Sequence, residues 1–129
     1  MKKEIITLTD IKLLVDTFYG KVRSDELLSG IFNDVIKENW PVHLEKMYRF
    51  WQTILLDEHT YHGSPFPRHA GLPINKLHFD RWLTLFYETV DELFSGEKAA
   101  EAKERSSNMA KMFLYKLESI KANGLKPVI

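Results

Sequence analysis

A stretch rich in proline and glycine near the middle of the chain limits the fold most, because it separates two regions of clear helical pattern. It runs from Tyr61 to Trp82 and contains Gly63, Pro65, Pro67, Gly71 and Pro73. So many prolines and glycines cannot continue a helix or lie in a central strand. The stretch also contains aromatic side chains and histidines, which are uncommon in disordered segments. It therefore predicts an ordered loop that holds His69 over a cavity, and a surface loop with an exposed histidine is the simpler alternative.

Apolar residues on both sides of this loop recur every three or four positions, which is the period of amphipathic helices. The segments before the loop are a helix after a predicted N-cap at Thr9, a short helix after Ser24, and a helix over Pro41 to Leu56. After the loop, Asn75 predicts a helix start, Gly96 its end, and a last helix begins near Glu97. The last helix is expected to turn Met109, Met112, Phe113, Leu117 and Ile120 inward. No useful strand-like alternation occurs, so the predicted fold class is all-α.

The length, charge and cysteine content of the chain exclude several classes of protein. The 129 residues fit one domain, 1–129, with a lead-in over 1–8 and a tail over 125–129. Eighteen basic and eighteen acidic residues give a formal net charge of zero, which argues against nucleic-acid or membrane-surface binding through bulk charge. No cysteine is present, which excludes disulfides and thiolate chemistry. The beginning of the chain lacks the apolar run of a signal peptide, and no stretch is long enough to span a membrane, so the expected location is cytoplasmic.

The five histidines raise the question of a metal site. They are His43, His59, His62, His69 and His78. His59 and His62 have a spacing that suits zinc on a helix, but the Gly63-Ser64-Pro65 sequence that follows argues against a helix there. His78 falls in the first turn of a helix, where solvent exposure is the simpler interpretation. His43 is unusual, because it lies in an otherwise apolar stripe one turn before Met47.

A single histidine opposite helices rich in Phe, Trp and Met suits a large, flat, apolar cofactor whose iron takes one nitrogen ligand. The far side of such a slot needs a few polar donors to handle a diatomic ligand. Tyr19, His43 and Trp82 are the candidate donors, since each lies within an apolar stripe. The simpler alternative for each is a core side chain whose polar tip is satisfied within the protein.

Several short motifs, taken together and in order, resemble those of the truncated haemoglobins, specifically of their third group. The motifs are Phe18-Tyr19 before Lys21-Val22-Arg23, Trp40 three before His43, Phe50-Trp51, Tyr61-His62-Gly63-Ser64-Pro65 leading to Arg68-His69, Leu72-Pro73, and Phe79-Asp80-Arg81-Trp82. The resemblance extends from about Thr9 to Ile120. The first two groups typically carry Gly-Gly pairs near the ends of two helices, and this chain has no adjacent glycines, which fits the third group.

The resemblance implies a two-over-two helical globin sandwich around haem b. It makes His69 the proximal ligand of the iron and places Arg68 beside a haem propionate. It places Tyr19, His43 and Trp82 in the distal pocket. The positions that match apolar haem contacts are Phe18, Met47, Phe50, Trp51, Phe79 and Phe86.

The function implied is binding of O₂ or another small gaseous ligand, with Tyr19 as the best donor to O₂ and His43 as a donor or a gate to solvent. The alternative is a haem-dependent redox enzyme for NO dioxygenation or peroxide chemistry. The sequence contains no reductase domain, so such an enzyme would need an external electron donor. A haem-free helical interaction module is a third class, but it gives the proline-rich loop and His69 no purpose.

Overall fold

The computed structural model describes residues 2–61 and 74–122, and these residues form five α-helices. The helices are α1 (Leu8–Ser24), α2 (Ser29–Ile36), α3 (Trp40–Leu56), α4 (Lys76–Leu93) and α5 (Glu97–Ala122). Within the described residues no strand forms, and the β-type pairing is an isolated bridge between Lys3 and Phe94. The prediction of an all-α fold, with four long helices and one or two short ones, is confirmed for the described residues. Arg68 and His69 lie outside the described residues.

The helices pack as two pairs, one stacked on the other. Helix α1 packs on α3, and α4 packs on α5. Contacts of α1 with α4 and of α3 with α5 join the two pairs, and the short α2 packs against α1. This arrangement is the predicted two-over-two sandwich. None of the described helices is long and apolar enough to cross a membrane.

Helix α1 begins two residues earlier than the sequence suggested, because Thr7 rather than Thr9 is the N-cap. The Thr7 hydroxyl accepts a hydrogen bond from Asp10 N at 3.3 Å, and the Asp10 carboxylate accepts one from Thr7 N at 3.0 Å. This reciprocal pair is a capping box, which requires a suitable acceptor three residues after the cap. Thr9 is followed at that distance by Lys12, so it cannot form the same pair.

The Asp10 carboxylate should stabilise the fold at neutral pH. Burial raises its pKa, but hydrogen bonds from Lys3, Ile6 and Thr7 outweigh burial and lower the pKa to about 2, from 3.8. Because the pKa of Asp10 is lower in the folded state than in the unfolded state, its ionised carboxylate stabilises the fold at pH values above the unfolded-state pKa. This stabilisation is lost as the pH falls towards the folded-state pKa. We expect Asp10→Asn to lower the free energy of unfolding by about 2 kcal/mol at neutral pH.

The measurement is urea unfolding of the wild type and of Asp10→Asn at a series of pH values. The difference between them should shrink as pH falls from about 4 to about 2. Asp34→Asn, at an exposed position of α2, serves as the control and should show a change within about 0.5 kcal/mol. A deficit in Asp10→Asn that stays constant across this range would contradict an electrostatic role.

The segment before α1 packs on the core and hydrogen-bonds to the start of α5. Ile5 is 1% exposed and belongs to the core. The Glu4 carboxylate accepts hydrogen bonds from the backbone N–H groups of Glu97, at 3.2 Å, and Lys98, at 2.6 Å. It thus satisfies free donors in the first turn of α5. Gly96 has a φ of +97°, a conformation that favours glycine, and a Cβ there would displace the Glu4 carboxylate.

The inward face of α5 differs from the expectation at one position. Phe113, Leu117 and Ile120 are buried, and Met109 packs against the core. Met112 is 46% exposed, so the prediction that it points inward is wrong. Met112 precedes Phe113 by one residue, which turns it about 100° away around the helix.

Candidate functional site

A cavity of about 840 Å³ lies between the two helix pairs, and side chains from all five helices line it. Its volume is in the range of small-molecule and cofactor sites, about 300–1,000 Å³. Residues from the predicted site that line it are Tyr19, His43, Met47, Phe50, Trp51, Phe79 and Trp82. The wall is mainly apolar and aromatic, with a few polar side chains set into it.

Tyr19 enters this wall from α1. It is 6% exposed, and its ring packs edge-on against Phe18 and His43, with centroid distances of 4.9 and 5.1 Å. Burial raises the pKa of the Tyr19 phenol well above its ordinary value, so the hydroxyl stays protonated at neutral pH. Among the described residues, none hydrogen-bonds to this hydroxyl. It is therefore a neutral group on the cavity wall that can donate a hydrogen bond.

His43 and Trp82 approach the same cavity from α3 and α4. The Nε2 atom of His43 is buried, and the ring lies edge-on to Tyr19. The Trp82 ring lies edge-on to Phe18, at 5.2 Å between centroids. Phe18 thus contacts both Tyr19 and Trp82. The structure brings the three predicted polar side chains into one aromatic cluster at one side of the cavity.

Two of the predicted apolar residues lie behind the wall rather than on it. Phe18 and Phe86 are each 1% exposed, and neither is among the described residues that line the cavity. Phe86 stacks between Trp82, at 5.4 Å, and Trp51, at 5.1 Å. These two phenylalanines therefore support the indoles that face the cavity, and direct haem contact by either of them remains a prediction.

The residues on either side of the stretch that contains Arg68 and His69 lie at the cavity. Tyr61, before the loop, and Ile74, after it, both line the cavity. The ring of Tyr61 packs edge-on against Phe50 at 5.3 Å, and its backbone N–H donates to the Thr53 hydroxyl at 3.0 Å. Tyr61 and Ile74 thus lie on the cavity wall, and the predictions for Arg68 and His69 fall outside the described residues.

Comparison with known proteins assigns the family. The family model for bacterial-like globins matches residues 4–115 of the chain. The chain belongs to the bacterial-like globin family. Over 123 residues it is 37% identical to the group 3 truncated hemoglobin ctb of Campylobacter jejuni, covering 90% of this chain and 97% of that protein. The crystal structure of a group III truncated hemoglobin from Campylobacter jejuni matches with a TM-score of 0.83 and 36% identity, covering 91% of this chain and 95% of the other.

These matches confirm the resemblance to third-group truncated haemoglobins and the two-over-two globin fold. Membership of the family implies that this globin binds haem. The cavity fits such a cofactor, since aromatic and aliphatic side chains form most of its wall and the three predicted donors belong to one aromatic cluster. Within the described residues, no three His, Asp or Glu side chains form a metal site, whereas a haem iron needs one nitrogen ligand from the chain.

Sequence reasoning missed part of the cavity wall of this globin. Helix α2 contributes Ile31 and Phe32, and α3 contributes the cations Lys46 and Arg49. Arg49 is paired with Glu45 at 2.9 Å. The spacing of these two cations in the sequence could have predicted their position. Lys46 and Arg49 follow His43 by three and six residues, which extends the cavity-facing side of α3 towards solvent.

Proposed function

We propose that this globin binds one haem b, with its iron on His69, and holds O₂ or another small gaseous ligand beside Tyr19, His43 and Trp82. The observation that supports this most directly is the convergence of these three polar side chains on one apolar cavity. The family supports haem binding, and the match of His69 to the family's proximal histidine supports the choice of ligand.

Haem, when bound, supplies the iron at which a diatomic ligand binds. The chain supplies the surroundings. Met47, Phe50 and Phe79 give the slot apolar walls that exclude water. Lys46 and Arg49 offer positive charge to the carboxylates of the cofactor, in addition to the pairing predicted for Arg68.

The three polar residues differ in what they offer a ligand. The Tyr19 hydroxyl and the Trp82 indole N–H are donors that do not depend on pH in the neutral range. His43 donates or accepts according to its tautomer. Where a bound haem fills the cavity and excludes water, each such bond is stronger than it would be in solution. A gating role for His43 would require its ring to leave the position beside Tyr19, at 5.1 Å between centroids.

Redox catalysis is the second candidate function, and the same arrangement favours it. Donors fixed in a dry pocket stabilise negative charge that develops as an O–O bond breaks. The electrons would have to come from an external reductase. Slow O₂ release combined with rapid turnover of peroxide or NO would assign this function, while reversible O₂ binding without turnover would assign ligand binding.

The absorption spectrum of the purified protein tests the proposal. We expect one b-type haem per chain, a change in the spectrum on reduction, and a further change when carbon monoxide is added. The protein should be expressed with and without added haem precursor, so that limited supply is separated from failure to bind. A folded, helical protein that takes up no haem under either condition would refute the proposal.

A further inference from the structure

Trp40 contacts both Tyr19 and His43 without lining the cavity. It is the first residue of α3 and is 5% exposed. Its ring lies edge-on to Tyr19, at 5.9 Å between centroids, and to His43, at 5.7 Å with an interplanar angle of 88°. The described residues that line the cavity do not include Trp40. The ring contacts of this indole with the cavity wall are those with Tyr19 and His43.

Two residues on other helices fix the Trp40 ring from outside the cavity. Its Nε1–H donates a hydrogen bond to the side-chain oxygen of Asn33, on α2, at 3.1 Å. The guanidinium of Arg23, on α1, lies over the ring at 4.5 Å from its centre. The hydrogen bond holds the edge of the indole in place, and the guanidinium stabilises the ring by a cation–π contact on one face. Asn33 and Arg23 are both exposed, so these contacts are made at the surface.

We propose that Trp40 is a positioning residue that holds the Tyr19 and His43 rings, and that Asn33 and Arg23 set its orientation. The inference rests on the proposed function, because it takes Tyr19 and His43 to be the residues that hold the ligand. Edge-on aromatic pairs have a preferred geometry, so rotation of the Trp40 ring displaces both of its partners. Hydrogen bonds weaken steeply as their angle departs from linear, so a small displacement of a donor changes how well it holds a ligand.

Asn33 offers a cleaner test than Trp40 itself. Truncation of a buried tryptophan creates a cavity and costs several kcal/mol of stability. Asn33 is exposed, so Asn33→Leu removes the acceptor for the indole with little loss of packing. Asn33→Asp keeps an oxygen that accepts the same hydrogen bond. Asp34→Leu, at the next exposed position of α2, makes the same polar-to-apolar change away from this contact and serves as the matched control.

The first readout is O₂ release from the ferrous haem protein, followed by stopped flow. We expect Asn33→Leu to speed release by roughly threefold to tenfold, a range that is typical of energetic coupling between neighbouring residues. Asn33→Asp and Asp34→Leu should stay within about twofold of the wild type. Unchanged release in Asn33→Leu, or an equal change in Asp34→Leu, would overturn the inference.

The second readout does not depend on ligand release. It is the indole N–H resonance of Trp40 in the carbon monoxide complex, observed by NMR. We expect it to move in Asn33→Leu and to stay near the wild-type position in Asn33→Asp and Asp34→Leu. An unmoved resonance in Asn33→Leu would show that Asn33 does not anchor the indole.

Asn33→Leu can also be made in a protein that lacks both proposed ligand-holding groups. This combination distinguishes a positioning effect from a general loss of fold stability. In a Tyr19→Phe/His43→Leu protein, Asn33→Leu should change O₂ release no further, because its route to the ligand is removed. A full effect in that background would overturn the inference. If Tyr19→Phe and His43→Leu change O₂ release while Asn33→Leu does not, the positioning role of Trp40 is wrong, and the distal assignment of Tyr19 and His43 still stands. If the double variant releases O₂ like the wild type, the distal assignment itself is wrong.

Discussion

Replacement of His69 by alanine is expected to abolish stable haem incorporation. His69 matches the family's proximal ligand, and the residues on either side of its stretch of sequence, Tyr61 and Ile74, both line the cavity. The iron–nitrogen bond is the one coordinate link proposed between the cofactor and the chain, so without it only apolar and charge contacts hold haem. Loss of a residue that hydrogen-bonds to a metal ligand costs about tenfold to a hundredfold in metal affinity. Loss of the ligand itself should cost at least as much.

The measurement is the ratio of haem to protein after identical purification of the wild type and His69→Ala. We expect the variant to retain no more than about a tenth of the wild-type haem. His59→Ala is the matched control, because it removes an exposed histidine just before the loop and should leave the ratio unchanged. Added imidazole should partly restore binding by supplying the missing nitrogen. Purification of His69→Ala with full haem content and an unchanged spectrum would show that another residue is the ligand.

The helix boundaries that the sequence predicts best are those set by local chemistry. Pro41 favours a helix start, and α3 begins at Trp40, one residue earlier. Asn75 is the N-cap of α4, as predicted, and its side-chain Oδ1 accepts a hydrogen bond from Leu77 N at 3.0 Å. His78, predicted to be exposed, is half-buried and lines the cavity, and it completes this cap by accepting from Asn75 N at 3.1 Å. Such features depend on residues a few positions apart, so the sequence alone contains the information.

The candidate site depends on how separate helices meet, and periodicity does not contain that information. Tyr19 and Trp82 share a cavity only because α1 packs on α4. The resemblance to a family, rather than any spacing, predicted their meeting. A helical pattern also cannot distinguish a residue on a cavity wall from one behind it, since both are apolar. Phe86, which the resemblance groups with Trp51 as an apolar haem contact, lies behind the wall, whereas Trp51 forms part of it.

Removal of the Tyr19 hydroxyl should have the largest effect on ligand release. Tyr19→Phe keeps the ring that packs against Phe18 and His43, so the wall itself is preserved. O₂ held in the distal pocket carries partial negative charge, and a hydrogen bond to a charged acceptor contributes roughly 1.5–3 kcal/mol. That range corresponds to about tenfold to a hundredfold in an equilibrium constant. The bond exists only after the ligand has arrived, so most of the change should appear in the dissociation rate.

Stopped-flow O₂ release from the ferrous protein should therefore be about tenfold to a hundredfold faster in Tyr19→Phe than in the wild type. Tyr87→Phe is the matched control, because it removes a hydroxyl that donates to the Lys103 carbonyl oxygen at 3.0 Å, outside the cavity wall. Carbon monoxide carries less negative charge when bound, so its release should change less. Hydrogen bonds from Trp82 and His43 offset part of the loss, because such networks are not additive. Release at the wild-type rate in Tyr19→Phe would remove Tyr19 from the site and leave the Trp82 indole as its principal donor.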